Sequence, residues 1–115
     1  MINDTVFDKI LRHELPVSIV FENDHALAFH DSSPKAPTHI LVIPKKKIVN
    51  LASSKDDDGD TLGHLMLAVK ETARILGLNK DGFRVVINSG AHAGQSVDYL
   101  HCHILGGREL TWPPG

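Results

Sequence analysis

Apolar residues recur every three or four positions along Leu62, Leu65, Met66, Val69, Ala73 and Leu76, the stripe of an amphipathic helix. Gly77 follows where a left-handed C-terminal cap is expected. The run Ser53-Ser54-Lys55-Asp56-Asp57-Asp58-Gly59-Asp60 precedes that helix and lacks the spacing of a calcium loop. Its carboxylates suit the positive end of the helix macrodipole instead. Val6, Phe7, Ile10 and Leu11 repeat the pattern in a shorter helix, which Pro16 is expected to stop.

Other apolar runs read as strands. Ser18-Ile19-Val20-Phe21 and Ala26-Leu27-Ala28-Phe29 flank Glu22-Asn23-Asp24-His25, a hairpin-like turn. Thr38 to Ile43 is β-rich and bracketed by Pro37 and Pro44. Phe83 to Ile87 follows the turn signal Asp81-Gly82. The last run, from Tyr99 to Leu105, ends at Gly106-Gly107. Clustered strands with two helices, without regular βαβ alternation, predict an antiparallel α+β fold. No internal repeat or linker divides residues 1–115, so one domain is expected. Two helices are few for two sheet faces, so an exposed edge or face is expected to pair with a second copy.

The last strand carries the candidate chemistry. Side chains alternate in a strand, so Tyr99, His101 and His103 share one face and Leu100, Cys102 and Ile104 the other. The second face is apolar and should pack on a core. The first holds two imidazoles roughly 7 Å apart by strand rise. A lone strand histidine is ordinarily a surface or hydrogen-bonded residue. Two on one face, beside a glycine pair and downstream of Gly94-Gln95-Ser96, point to a reaction site. Histidines at i and i+2 can also ligate a metal, but a closed zinc site calls for four ligands. The single cysteine, Cys102, lies on the opposite face, and no metal is expected.

Composition narrows the classes. The chain has 115 residues, enough to bury roughly two-thirds of its unfolded surface. A net charge of −2 gives no basis for general nucleic-acid binding. One cysteine excludes an intrachain disulfide and fits a reducing compartment. Met1-Ile2-Asn3-Asp4 does not begin a signal pattern, and no apolar run approaches the ~18 residues of a bilayer span. A cytoplasmic protein without membrane contact is expected.

Two further segments fit around the histidines. Asn88-Ser89-Gly90-Ala91-His92-Ala93-Gly94-Gln95-Ser96 is small and glycine-rich, so its backbone N–H groups can approach an anion. Alone it would be a turn; before two histidines it reads as a phosphate seat, with Ser96 placed to protonate a leaving group. Phe29-His30-Asp31-Ser32 offers a carboxylate at a strand end, suited to a ribose. Val6, Phe7, Ile10 and Phe29 are walls for a base or plain core. His39 is a third imidazole on a neighbouring element.

Gly94-Gln95-Ser96-Val97 with His101-Cys102-His103-Ile104-Leu105-Gly106-Gly107-Arg108 resembles the signature of the histidine triad (HIT) family. The likeness extends over Phe29-His30-Asp31, Ala36 to Lys46 and Trp112-Pro113-Pro114-Gly115, and is greatest to the histidine triad nucleotide-binding (HINT) branch. It implies an antiparallel sheet of about five strands with two helices, dimerising into one continuous sheet. It also implies hydrolysis of purine nucleoside phosphoramidates and adenylylated lysine or amines, with no cofactor. His101 would be the nucleophile on the α-phosphorus, forming a nucleotidyl-histidine that water cleaves. His103 would hold phosphate oxygens, His39 would support the imidazoles, and Ser96 would assist the departing amine. Asn88, Gly94 and Gln95 would contact phosphate or sugar, and Asp31 the ribose with Ser32 beside it. Neutral imidazole, with a reference pKa of about 6.5, suits covalent catalysis at neutral pH.

Two positions depart from the family pattern. Tyr99 stands where the first triad histidine falls, and Ser32 replaces an apolar residue after the ribose aspartate. The family uses the backbone carbonyl at the first position to orient the nucleophile, and a carbonyl survives side-chain change, so activity is expected. The competing reading is a purine-nucleotide-binding interaction module with weak or lost catalysis.

Overall fold

The computed structural model describes residues 3–115. Met1 and Ile2, part of the segment read for targeting, lie outside the described residues. Thr5 starts the first helix, α1 (Val6–Leu11). Its hydroxyl accepts the Asp8 N–H at 3.3 Å while the Asp8 carboxylate accepts the Thr5 N–H at 2.8 Å, a reciprocal cap. The helix does not run on to Pro16. The Glu14 N–H reaches Lys9 O at 2.9 Å and the His13 N–H reaches Ile10 O at 3.0 Å. This Schellman turn ends the helix early, with His13 held at φ +62°.

Among the described residues five strands follow: β1 (Ile19–Glu22), β2 (Ala26–His30), β3 (Thr38–Pro44), β4 (Arg84–Ile87) and β5 (Cys102–Gly106). They form one antiparallel sheet in the order β1-β2-β3-β5-β4. With α1 and α2 (Gly59–Ile75) this is the expected α+β architecture. The Asn23 side chain turns β1 into β2 by accepting the N–H groups of His25 and Ala26 at 2.8 and 2.9 Å. The histidine strand starts later than its alternation suggests. Pairing of β5 with β3 ends at Cys102 opposite Val42, and Leu100 N–H turns instead to Ile48 O at 2.7 Å. Tyr99 to His101 therefore approach the sheet without joining it.

A 3-10 turn at Asp56–Asp58 leads into α2. Asp58 accepts the Lys55 N–H at 2.8 Å and pairs with Lys46 at 2.7 Å. At the far end Leu78 N–H reaches Ala73 O at 3.0 Å, with Gly77 at φ +71° as the expected cap. The buried stripe is Leu65, Ala68, Val69, Thr72 and Ala73. Met66 was expected on it but is 42 % exposed, because a 100° step from Leu65 carries it past the stripe's margin. Thr72 is accommodated by donating its hydroxyl to Ala68 O at 2.7 Å.

Both sheet faces are covered at the centre. On one, α2 packs over Ala28, Ile40, Val42, Cys102 and Ile104. On the other, Phe7 and Ile10 of α1 join Leu27, Phe29, Leu41, Ile43 and Tyr99. The alternation read from sequence thus persists through Tyr99 and Leu100, although both precede β5. Among the described residues no helix is long and apolar enough to cross a membrane.

A left-handed backbone at a non-glycine residue costs about 1–2 kcal/mol. Glycine gives back about 0.5–1 kcal/mol of this through its extra entropy in the unfolded chain, so His13→Gly should stabilise the fold by a net of about 0.5–1 kcal/mol. Urea denaturation checks this, and an unchanged or lower midpoint counts against strain at His13.

Candidate active site

In the β3–β5 ladder Leu41 lies opposite His103 and His39 opposite Leu105, making the two imidazoles diagonal neighbours on one face. His39 Nε2 lies 2.9 Å from His103 Nδ1. Across the His39 ring, the Lys35 N–H donates to Nδ1 at 3.0 Å. That bond decides the proton pattern. Nδ1 accepts, so neutral His39 carries its proton on Nε2 and donates it to His103 Nδ1. Neutral His103 then holds its own proton on Nε2, outside this chain of bonds. Asp31, just beyond β2, accepts the Ser33 N–H at 2.7 Å and places Oδ2 3.4 Å from His39 Nε2.

Burial keeps these rings neutral. It lowers the pKa of His39 despite the opposing pull of Asp31. His103 is pushed down to about 4, first by burial and then by repulsion from His101 and His39, with Asp31 opposing. The ligating atoms of Asp31, His39 and His103 also lie within 4.8 Å of one another, the spacing of an ion site. The proton pattern argues against that use. A metal on His39 Nε2 needs that nitrogen bare and Nδ1 protonated, whereas the Lys35 amide already points a proton at Nδ1.

His101 is 4 % exposed, just ahead of β5. Its Nδ1 lies 2.7 Å from Tyr99 O, an acceptor only, so neutral His101 carries its proton there and keeps a lone pair on Nε2. The ring sits edge-on to Phe7 and to His103, with centroids 5.0 Å away in each case. That is closer than the roughly 7 Å of strand rise, which measures the backbone; here the rings lean together. Cys102, one residue on, faces the other core with its thiol pushed up to about 12 by burial, so it is no nucleophile at neutral pH.

The remaining predicted residues fall into two groups. Phe7, Ile10 and Phe29 are buried together in the cluster below His101, while Val6 and Ser32 are exposed. Asn88, Gly94, Gln95 and Ser96 belong to a loop whose bonds define its own shape. Gly90 and Gly94, at φ +87° and +77°, flank a 3-10 turn at Ala91–Ala93, a path open to few other residues. The Gln95 carboxamide accepts from Gly90 N–H at 2.9 Å and donates to Val97 O at 3.0 Å and Val49 O at 2.8 Å. Asn88 Nδ2 donates to Ala93 O at 2.7 Å. Ser96 is exposed beside them. Lys35 has no counterpart among the sequence candidates, because it acts through its backbone amide, which leaves no residue-type signal.

A HIT domain family model matches residues 12–110. The chain belongs to the HIT family. An uncharacterized HIT-like protein of Synechocystis is 53% identical over 115 residues, with 100% of both chains covered. The crystal structure of a HIT family hydrolase from Legionella pneumophila Philadelphia 1 matches with a TM-score of 0.92 at 44% identity, covering 96% of this chain and 98% of that one. A histidine triad protein from Clostridium difficile matches at 0.90 and 40% identity, with 96% of each chain covered. Within the HIT fold this member reads Tyr99-x-His101-x-His103 at the triad.

Depression of the His103 pKa links the HIT site to stability. The unfolded chain takes up this proton near the ordinary 6.5 and the folded chain only near 4. The unfolded state therefore binds more protons in between, and stability falls as pH drops through that window. Urea midpoints should fall from pH 6.5 toward 4, and His103→Gln should flatten the fall. An equal slope in the variant would assign the effect to other histidines.

Proposed function

We propose that the protein hydrolyses purine nucleoside phosphoramidates and adenylylated amines such as AMP-lysine, as in the HINT branch. The observation that carries this is the pairing of an acceptor with a donor. His101 Nδ1 is bound to Tyr99 O at 2.7 Å, leaving the Nε2 lone pair for attack, and His103 holds Nε2–H beside it. In the first step His101 Nε2 bonds to the α-phosphorus and the P–N bond breaks, with its electron pair leaving on the amine. The amine gains a proton, which Ser96 at the loop end would deliver. In the second step water adds to phosphorus and passes its proton to the Ser96 oxygen, the His101 N–P bond breaks with its electron pair returning to Nε2, and AMP leaves. Tyr99 O stabilises the charge on the substituted imidazole throughout. The phosphoryl oxygens accept from His103 and from loop N–H groups of the Gly94 region.

Asp31, with Ser32 beside it, would take the ribose, and Val6 above Phe7, Ile10 and Phe29 would face the base. Asn88 and Gln95 would serve the phosphate by holding the loop. No metal, nucleic acid or membrane enters this reading, and a cytoplasmic setting suits the lone thiol. His101→Ala should lower turnover of tryptamine adenosine phosphoramidate by roughly three orders of magnitude or more, with AMP affinity largely kept. Rapid quench with labelled substrate should trap nucleotide on the native protein alone. A native protein that holds AMP and releases no amine is the binding module instead.

We also propose a homodimer joined along β4 into a continuous sheet. Among the described residues β4 is a sheet edge paired only with β5, and α2 presents Met66 and Leu67, the latter 58 % exposed. In the tail, Trp112 is 79 % exposed, its ring centroid 5.8 Å from Arg84 Cζ of β4. A tryptophan so placed suits an interface, where it would reach the partner's site rim. Light scattering at micromolar concentration should give twice the chain mass. Deleting residues 110–115 should change preference for the leaving amine more than AMP affinity. A monomer, or unchanged kinetics after the deletion, overturns this arrangement.

A further inference from the structure

Tyr99 is the chain's only tyrosine and is completely buried. It precedes β5, where the ladder to β3 no longer holds the chain. Its side chain supplies another hold. The hydroxyl donates to Pro44 O at the end of β3. The ring sits edge-on to Phe7 at 6.0 Å, and Lys47 Nζ lies 5.9 Å from its centroid. Its N–H donates to Val97 O at 2.8 Å, and its carbonyl accepts from His101 Nδ1 at 2.7 Å. Burial raises the phenol's pKa, so the hydroxyl remains a donor at neutral pH.

We infer that Tyr99 is a positioning residue whose hydroxyl, tethered to the Pro44 carbonyl, aims the backbone carbonyl that orients His101. The side chain grips β3 while the main chain grips the imidazole. A histidine ring is shorter than a phenol and would not span the same gap, so tyrosine supplies here what the usual first triad histidine cannot. The inference rests on His101 being the nucleophile proposed above.

Tyr99→Phe keeps the ring and removes the tether. It should lower kcat on tryptamine adenosine phosphoramidate by roughly tenfold through misorientation, with KM within about twofold. A purely structural role would lower stability and leave the His101 ring unchanged. Nitrogen-15 spectra of the histidine rings separate the two. The His101 Nδ1–H should exchange faster and its tautomers mix in the variant, while those of His39 and His103 stay as in the native protein. Unchanged kcat with an unchanged His101 signal overturns the proposal. Where Tyr99→Phe fails to fold, 3-fluorotyrosine at this single site perturbs the hydroxyl with the ring in place. It should shift the His101 Nδ1–H resonance, and no shift overturns the tether. If the native protein shows no turnover, the proposed activity fails, and the ring spectra alone decide for or against the tether.

Discussion

The ladder between β3 and β5 begins at Thr38 opposite Gly106 and stops at Val42 opposite Cys102. Inside it, main-chain pairing sets His39 and His103 side by side. Beyond it, Leu100 pairs with Ile48, and His101 is placed by what Tyr99 holds. The site therefore has two halves with different mechanical origins. One inherits the rigidity of a strand pair buried on both faces. The other depends on a few buried contacts among Phe7, Tyr99 and Pro44. Side-chain placement is more easily disturbed than a ladder, so small packing changes near α1 act first on His101.

Competition between burial and charge gives the site its character. Asp31 lies close enough to favour a protonated imidazole, yet burial wins and His103 falls to about 4. A charged His103 would bind an anion more strongly but would first have to be created inside the core. The neutral ring presents a fixed N–H dipole instead. Such a donor needs no reorganisation as charge builds on a reacting oxygen, which is where fixed dipoles contribute most.

Periodicity foretold the helices, the strand set and the two faces around Tyr99–Ile104. Its errors were local. Pro16 is the stop that residue type marks for α1, but backbone bonds at His13 and Glu14 close it earlier, and these have no strong residue-type signature. Met66 sat on the expected stripe because apolar character alone does not separate the centre of a helix face from its margin. Alternation predicts a longer histidine strand than β5 because it continues where pairing does not. The triad region itself was legible, since its residues carry chemistry in their side chains. The Lys35 amide and the Pro44 carbonyl were not, because any residue presents a carbonyl and almost any presents an amide. Gln95 was read for its chemistry, while its bond to Val49 O, 46 positions away, gives it a place in the loop's construction.

The bond from the Lys35 amide to His39 also bears on how this site can change over generations. No side-chain replacement at position 35 deletes that amide; only proline does. Proline is already used at Pro34 and Pro37, either side of it. The direction in which protons are ordered through His39 and His103 is thus encoded in the route of the chain. A side-chain substitution at Lys35 therefore leaves the donor to His39 Nδ1 in place, whereas a deletion within Ser32 to Pro37 would move it.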